Sequence, residues 1–368
     1  MIWIVATAGV FYVLLIAGLL FGWEKLKPIA GSPNPHSTFV SVIIPMRNEE
    51  VNIKRLLHCL VNQNYPSLLF EIIVVDDHSG DDSLKEAMGV KNESIQVVEL
   101  PSGVTGKKNA LSFGIQKSRG ELILTSDADC SAGRNWIASL AGYFEKYQPV
   151  MMLGPVCGIY TNLFSKMQAL EMYSLLGSTA GAASVHHPIM CNGANLAFSR
   201  KIYPDLKQVY ENENIKSGDD MFVLQLLKKK YPKQIHFLKS TDCLVRTNLS
   251  ENLRSFLRQR RRWAGKAVYY NDPDILLSGF IVLFINLLLL VSFLTAVVTS
   301  HYIPFASLFL TKSVIDFIFL YRITGFFGEK RLIRWFPLVQ CFYFLYVCFT
   351  VLSSVTVSNQ WKERTMKH

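Results

Sequence analysis

The sequence predicts an α/β protein: a mainly parallel sheet flanked by helices, with one N-terminal and about three C-terminal transmembrane helices. Three observations predict it. Short β-branched runs alternate with stretches of helical periodicity between residues 39 and 147, the pattern of strands joined by crossover helices. Long uncharged stretches stand at both ends of the chain. Acidic motifs follow directly on predicted strands, where open parallel sheets bind their ligands.

Residues 1–23 carry no charge, and 23 helical residues reach roughly 35 Å, enough to cross a bilayer. No basic region precedes them, and Glu24, Lys25 and Lys27 follow, so a retained anchor fits better than a cleaved signal peptide. Residues 24–38, with Pro28, Pro33 and Pro35, read as a linker. The main domain is expected over 39–250. Strands are predicted at 39–44, 71–75, 95–100 and 121–126, and helices at 49–63, 81–88, 106–117 and 134–147. Beyond residue 150 the alternation weakens, and helices are predicted at 162–183 and 219–229. An interfacial helix follows over 251–274, then transmembrane helices over 275–361 and a basic tail over 362–368. Residues 275–311 and 335–361 lack Asp, Glu, Lys and Arg. The piece between contains Lys312 and Asp316, which stand i, i+4 and can pair inside a bundle.

Half of the 368 residues are hydrophobic and the net charge is +10. The basic residues gather near the membrane-length segments: Lys25, Lys27, Arg254, Arg258, Arg260 to Arg262, Lys266, Lys330, Arg331 and Arg334. Such a surface suits anionic lipid headgroups and anionic nucleotides. With hydrophobic flanks and no recognition motif, nucleic acid is not an expected partner. Seven scattered cysteines without a CxxC suggest neither a disulfide framework nor a zinc site, so a reducing, cytoplasmic domain is expected. Lys25, Lys27 and the 330–334 loop agree with positive-inside orientation. The tail does not: four spans starting outside leave Lys362, Arg364 and Lys367 outside, unless one C-terminal segment lies in the interface.

Four motifs carry chemistry. Asp76-Asp77 ends a strand; it can be an Asx-type turn or accept from a nucleobase or ribose. Asp127-Ala128-Asp129 leaves another strand, and two carboxylates so spaced can face one hard cation, Mg2+ or Mn2+; Asp129 can instead cap the following helix. Asp219 and Asp220 open a helix, either as caps or as a carboxylate pair suited to a general base. Lys107 and Lys108 open another helix and can contact phosphate. Gln259 to Trp263 (QRRRW) lies on a basic amphipathic helix, where Arg262 can neutralise a leaving diphosphate and Trp263 can wall an acceptor pocket.

Residues 42–48 (VIIPMRN), 74–79 (VVDDHS), 127–129 (DAD), 192–200 (NGANLAFSR), 218–220 (GDD) and 259–263 (QRRRW) together resemble the membrane-associated branch of the family 2 glycosyltransferases, which have a Rossmann-like GT-A fold. The resemblance spans about residues 40–265. It implies nucleotide binding by Pro45, Asp76, Asp77, Lys108 and Asp127, and a divalent metal, Mg2+ or Mn2+, on Asp129 with Asp127. It implies Asp220 as the base, supported by Asp219. Gln259, Arg262 and Trp263 would cover the diphosphate and acceptor, with Asn195 in the acceptor-side segment 192–198. The implied reaction is inverting transfer from a nucleoside diphosphate sugar, a UDP-sugar being expected, to a lipid or glycan acceptor. The implied location is the cytoplasmic face of a membrane, expected to be a bacterial inner membrane. A processive polysaccharide synthase is the alternative, and the small set of spans argues against it. A membrane-bound nucleotidyltransferase would not need Asp220 or QRRRW. The tail Trp361-Lys362-Glu363-Arg364 is similar to a Trp-Lys-Gly-Arg tail of some bacterial members, with Glu363 where glycine is usual.

Overall fold

The computed structural model describes residues 2–29, 36–210, 219–356, 359–361 and 364–366. The chain forms two compact units. The first holds Lys27–Cys157 and Met190–Asn248. The second holds Met1–Leu26, Gly158–Ile189 and the chain from Leu249 onward.

After the N-terminal helix α1 (Ile2–Lys25), the first unit runs β1 (Val40–Met46), α2 (Ile53–Val61), β2 (Phe70–Asp76), α3 (Ser83–Gly89) and β3 (Ile95–Glu99). It continues through α4 (Lys107–Lys117), β4 (Leu122–Thr125), β5 (Cys130–Ala132), α5 (Trp136–Tyr147), β6 (Met151–Leu153) and β7 (Val156–Ile159). The chain then leaves for α6 (Leu163–Ser184). It returns as β8 (Leu196–Ser199), α7 (Tyr203–Tyr210), α8 (Asp219–Lys230), β9 (Ile235–Phe237) and β10 (Val245–Asn248).

Seven strands make one sheet in the order β3-β2-β1-β4-β8-β6-β9. The first four are mutually parallel, with Ile43 opposite both Ile73 and Thr125. β8 runs antiparallel to β4 and to β6. The β-branched run of β1 and the run of β2 are buried on both faces almost throughout, as helix-covered parallel strands must be. Helix α2 supplies one cover, burying Ile53, Leu56, Leu57 and Leu60. Helix α4 comes close from Gly114, where a Cβ would stand 2.5 Å from an Ile43 methyl. The predicted strands are all present, and the sheet is the expected mainly parallel one. β5, β10 and β7 form a second, small sheet.

In the second unit the remaining helices are α9 (Leu253–Ala264), α10 (Pro273–Thr299), α11 (Ile303–Phe326) and α12 (Phe336–Thr356). Among the described residues, four helical stretches are long and apolar enough to cross a membrane: Trp3–Lys25, Pro273–Thr299, Ile303–Phe326 and Lys330–Ser354. Lys312 and Asp316 do pair, at 2.6 Å, and the Tyr12 hydroxyl of α1 and the Gln340 amide of α12 bond the same carboxylate. Both charges thus face protein partners, as charged groups within an apolar helix must. α6, expected within the main domain, belongs to this unit. A Cβ on its Gly181 would stand 2.1 Å from the Leu19 carbonyl oxygen of α1, so the two backbones touch as small residues permit. At the tail the backbones of Asn359–Trp361 (β11) and Arg364–Met366 (β12) pair antiparallel. Lys362, Glu363 and Lys367 lie outside the described residues, as does part of the 24–38 linker.

Candidate active site

The carboxyl ends of β1, β2 and β4 share one edge of the first unit. At the end of β2, Asp76 is 1% exposed, and its carboxylate accepts from the backbone N–H and hydroxyl of Ser79, at 3.0 and 2.5 Å. The carboxylate thus closes an Asx turn of its own. Asp77 accepts from Gly106 N–H at 3.0 Å, tying this loop to the start of α4. Arg47, just after β1 and two residues beyond Pro45, donates to the Asp77 and His78 carbonyls at 2.6 and 3.2 Å. Asn48 and His78 both adopt left-handed backbone conformations, a cost of order 1–3 kcal/mol each that recurs at functional loops.

At the end of β4, Asp127 and Asp129 flank a buried Ala128. Burial, then the nearby charges of Asp127 and Glu49, push the Asp129 carboxyl up to about 6. Among the described residues no three acidic, His or Cys groups form a closed metal cage. Two crowded carboxylates with open coordination suit a hard dication whose shell is completed by phosphate oxygens, and the strained charge on Asp129 is what a dication would relieve. The residues therefore fit Mg2+ or Mn2+.

Lys107 Nζ bonds Asp127 at 2.5 Å. Its neighbour Lys108 is buried within α4. Asp220, at the start of α8, accepts from Gly193 N–H at 3.1 Å and Met221 N–H at 2.9 Å. The Gly193 carbonyl accepts from Thr125 Oγ1 at 2.9 Å. A Cβ on Gly193 would stand 3.6 Å from both the Asp220 carboxylate and Lys107 Nζ. Gly193 is therefore the point where the DAD motif, Lys107 and the GDD motif converge. Gly218 and the side chain of Asp219 lie outside the described residues.

Asn195, expected on the acceptor side, lies instead in the core. It is fully buried. Its carboxamide donates to the Pro155 and Cys243 carbonyls at 2.8 Å and accepts from the Trp136 indole at 3.0 Å. With three partners in the core, its side chain is not available to an acceptor.

Gln259, Arg262 and Trp263 stand half-buried on α9 in the second unit. The helix starts at a capping box formed by Asn252 and Ser255. Between the motif residues Arg260 is 5% exposed. Glu49 and Glu171, the partner of Arg260, went unmarked in the sequence, and Gly193 was marked only as part of the 192–198 segment. Glu49 directly follows the VIIPMRN segment, so position gave a signal for it. Nothing local marks Glu171.

A parallel sheet with clustered carboxylates at its switch edge is the nucleotide-sugar architecture that the motifs resemble. Residues 41–206 match the family described as Glycosyl transferase family 2. The chain carries a family 2 glycosyltransferase domain, and its fold is of the GT-A type. It is 33% identical over 101 residues to glycosyltransferase AglE of Haloferax volcanii, covering 27% of this chain and 33% of that protein. It is 27% identical over 139 residues to beta-monoglucosyldiacylglycerol synthase of Trichormus variabilis, covering 36% and 30%. The matched segments thus span about a third of those relatives. In three dimensions the chain resembles mannosyltransferase PcManGT from Pyrobaculum calidifontis, solved with GDP-Man and Mn2+, with TM-score 0.57 at 17% identity over 95% of this chain and 97% of that one.

Proposed function

We propose that this protein moves a sugar from a nucleoside diphosphate sugar, a UDP-sugar, to a lipid or lipid-linked acceptor at the cytoplasmic face of a membrane, with inversion. The observation that carries the reading is the convergence of Asp127, Lys107, Gly193 and Asp220 beyond the carboxyl ends of parallel strands. The Pro45 backbone and Asp77 hold the base. Lys107, now bonded to Asp127, is the cation in reach of a diphosphate. Asp129 and Asp127 hold a divalent metal, Mg2+ or Mn2+, which when bound adds positive charge beside the diphosphate.

The acceptor hydroxyl oxygen bonds to the anomeric carbon as that carbon's bond to the diphosphate oxygen breaks. The electron pair departs on the diphosphate, and the hydroxyl proton passes to an Asp220 carboxylate oxygen. Two backbone N–H groups hold that carboxylate in one orientation, the preorganisation a base needs. Arg262 balances charge on the leaving group, and Gln259 and Trp263 bound the acceptor side. A lipid acceptor is supported by the four membrane-length helices and by the relative whose name specifies a glucosyldiacylglycerol.

The test is transfer by the full-length protein in vesicles of bacterial polar lipids, with labelled UDP-glucose, UDP-N-acetylglucosamine and GDP-mannose and either metal. Label in the organic phase supports the reading; label in a polymer precipitate would make the protein a processive synthase. Asp220→Asn should lower turnover by about 10²–10⁴-fold while UDP binding persists. Transfer at the unaltered rate would remove Asp220 from the base role.

A further inference from the structure

We propose that Glu171 and Tyr346 are positioning residues for transfer: together they seat Arg260, and through Arg260 they set the orientation of Gln259 and Trp263. This rests on the reading above, in which α9 takes part in the reaction.

Arg260 is 5% exposed, and every face of its guanidinium is used. Nε donates to both Glu171 oxygens, at 3.1 and 3.0 Å, and Nη2 donates to Oε2 at 2.6 Å. Nη1 donates to Gln259 Oε1 at 2.6 Å. The guanidinium carbon stands 4.2 Å from the centre of the Trp263 ring and 4.7 Å from that of Phe256. Glu171 Oε1 also accepts the Tyr346 hydroxyl at 2.8 Å. Glu171 lies on α6 and Tyr346 on α12, 89 and 86 positions from Arg260. Burial alone would pull the Arg260 guanidinium down, but Glu171 and Tyr346 offset this and hold it above its ordinary value.

Holding three helices together does not require such a cluster. A buried ion pair is often no more stabilising than apolar residues of the same volume. What the arginine fork adds is direction. Because Arg260 can only donate, Gln259 must turn its carbonyl oxygen inward. Its amide N–H2 is then the end left for a ligand, and a donor is what an anionic diphosphate needs. Stacking on the same guanidinium fixes the Trp263 plane. The two flanking residues of QRRRW are thus set by one arginine, and that arginine by a carboxylate that no local pattern reveals.

The test is a double-mutant cycle on the full-length protein in the vesicle assay. It pairs Glu171→Gln with Trp263→Phe, and UDP binding serves as the control for folding. A second readout is the ¹⁹F resonance of Trp263 in 5-fluorotryptophan-labelled protein, assigned by its loss in Trp263→Phe. We expect E171Q to lower turnover about 100-fold with UDP binding intact, and to shift the Trp263 resonance. In the W263F background the same change should cost far less, because residues acting as a unit are not additive. If E171Q does not fold, Tyr346→Phe, which removes one hydroxyl from the same carboxylate, carries the cycle. Unaltered turnover in E171Q, equal losses in both backgrounds, or an unshifted resonance in both E171Q and Y346F would overturn the proposal. Unaltered turnover in Trp263→Phe and Arg262→Ala would instead overturn the role of α9, and this proposal with it.

Discussion

Asp129 shows at a single residue how a site is assembled against local stability. Its carboxyl titrates near 6 because burial and the charges of Asp127 and Glu49 disfavour its ionised form. A carboxyl raised on folding destabilises the protein above its folded value, and the penalty fades as pH falls through about 6 towards the unfolded range near 4. Metal-free Asp129→Asn protein should therefore melt a few degrees above the parent at pH 8, with the gain shrinking through about pH 5 and vanishing near pH 3. Thermal midpoints in chelator check this; equal gains at the two extremes of pH would exclude charge crowding as the cause. Added Mn2+ should raise the midpoint of the parent and not of the variant. The pair spacing of this motif was legible in the sequence because both carboxylates sit on one short turn. The bond of Lys107 to Asp127 was not, since the two stand 20 positions apart on different elements.

The element scale is where α6 departs from the reading of the sequence. Its Met- and Leu-rich pattern is compatible with either unit. What assigns it is contact: Gly181 against the Leu19 carbonyl, Gly177 against Ile323 and Phe319, and Tyr173 against Phe327. A backbone oxygen cannot step aside for a methyl group. Gly181→Ala should cost about 1–3 kcal/mol, read as a lower thermal midpoint of the detergent-solubilised protein. Gly18→Ala, where nothing lies within 4 Å, should be neutral or stabilise by up to about 1 kcal/mol. A similar midpoint change in both variants would mean that the α1–α6 contact is not the close one described. Helix existence and the four apolar spans were legible, because period and hydrophobic length are local properties.

At the scale of the whole chain, the second unit is tied by polar contacts between residues far apart in sequence. Tyr12 and Asp316 are separated by 304 positions, yet they bond at 2.7 Å, and Lys312, 2% exposed, completes the cluster. Asp316→Leu strands a buried ammonium and should cost about 3–5 kcal/mol, whereas Lys312→Leu with Asp316→Leu should recover most of that loss. Denaturant titration in detergent compares the two; a double variant as unstable as the single would mean the pair stabilises in its own right. The i, i+4 spacing of this pair could be read directly. Its partners Tyr12 and Gln340 could not, because no spacing rule reaches across three helices.

The sequence sufficed for the α/β class, the first four strands along the chain, the membrane-length helices and the strand ends that carry the first two acidic motifs. All of these follow from periodicity, charge-free length and the position of a residue just after a strand. What the local pattern could not supply is the burial of Asn195 among three partners, the bond of Lys107 to Asp127, the place of Gly193 between the motifs, and the hold of Glu171 and Tyr346 on Arg260. Those outcomes depend on which buried polar atoms find partners, and partners drawn from distant segments leave no mark in the local pattern.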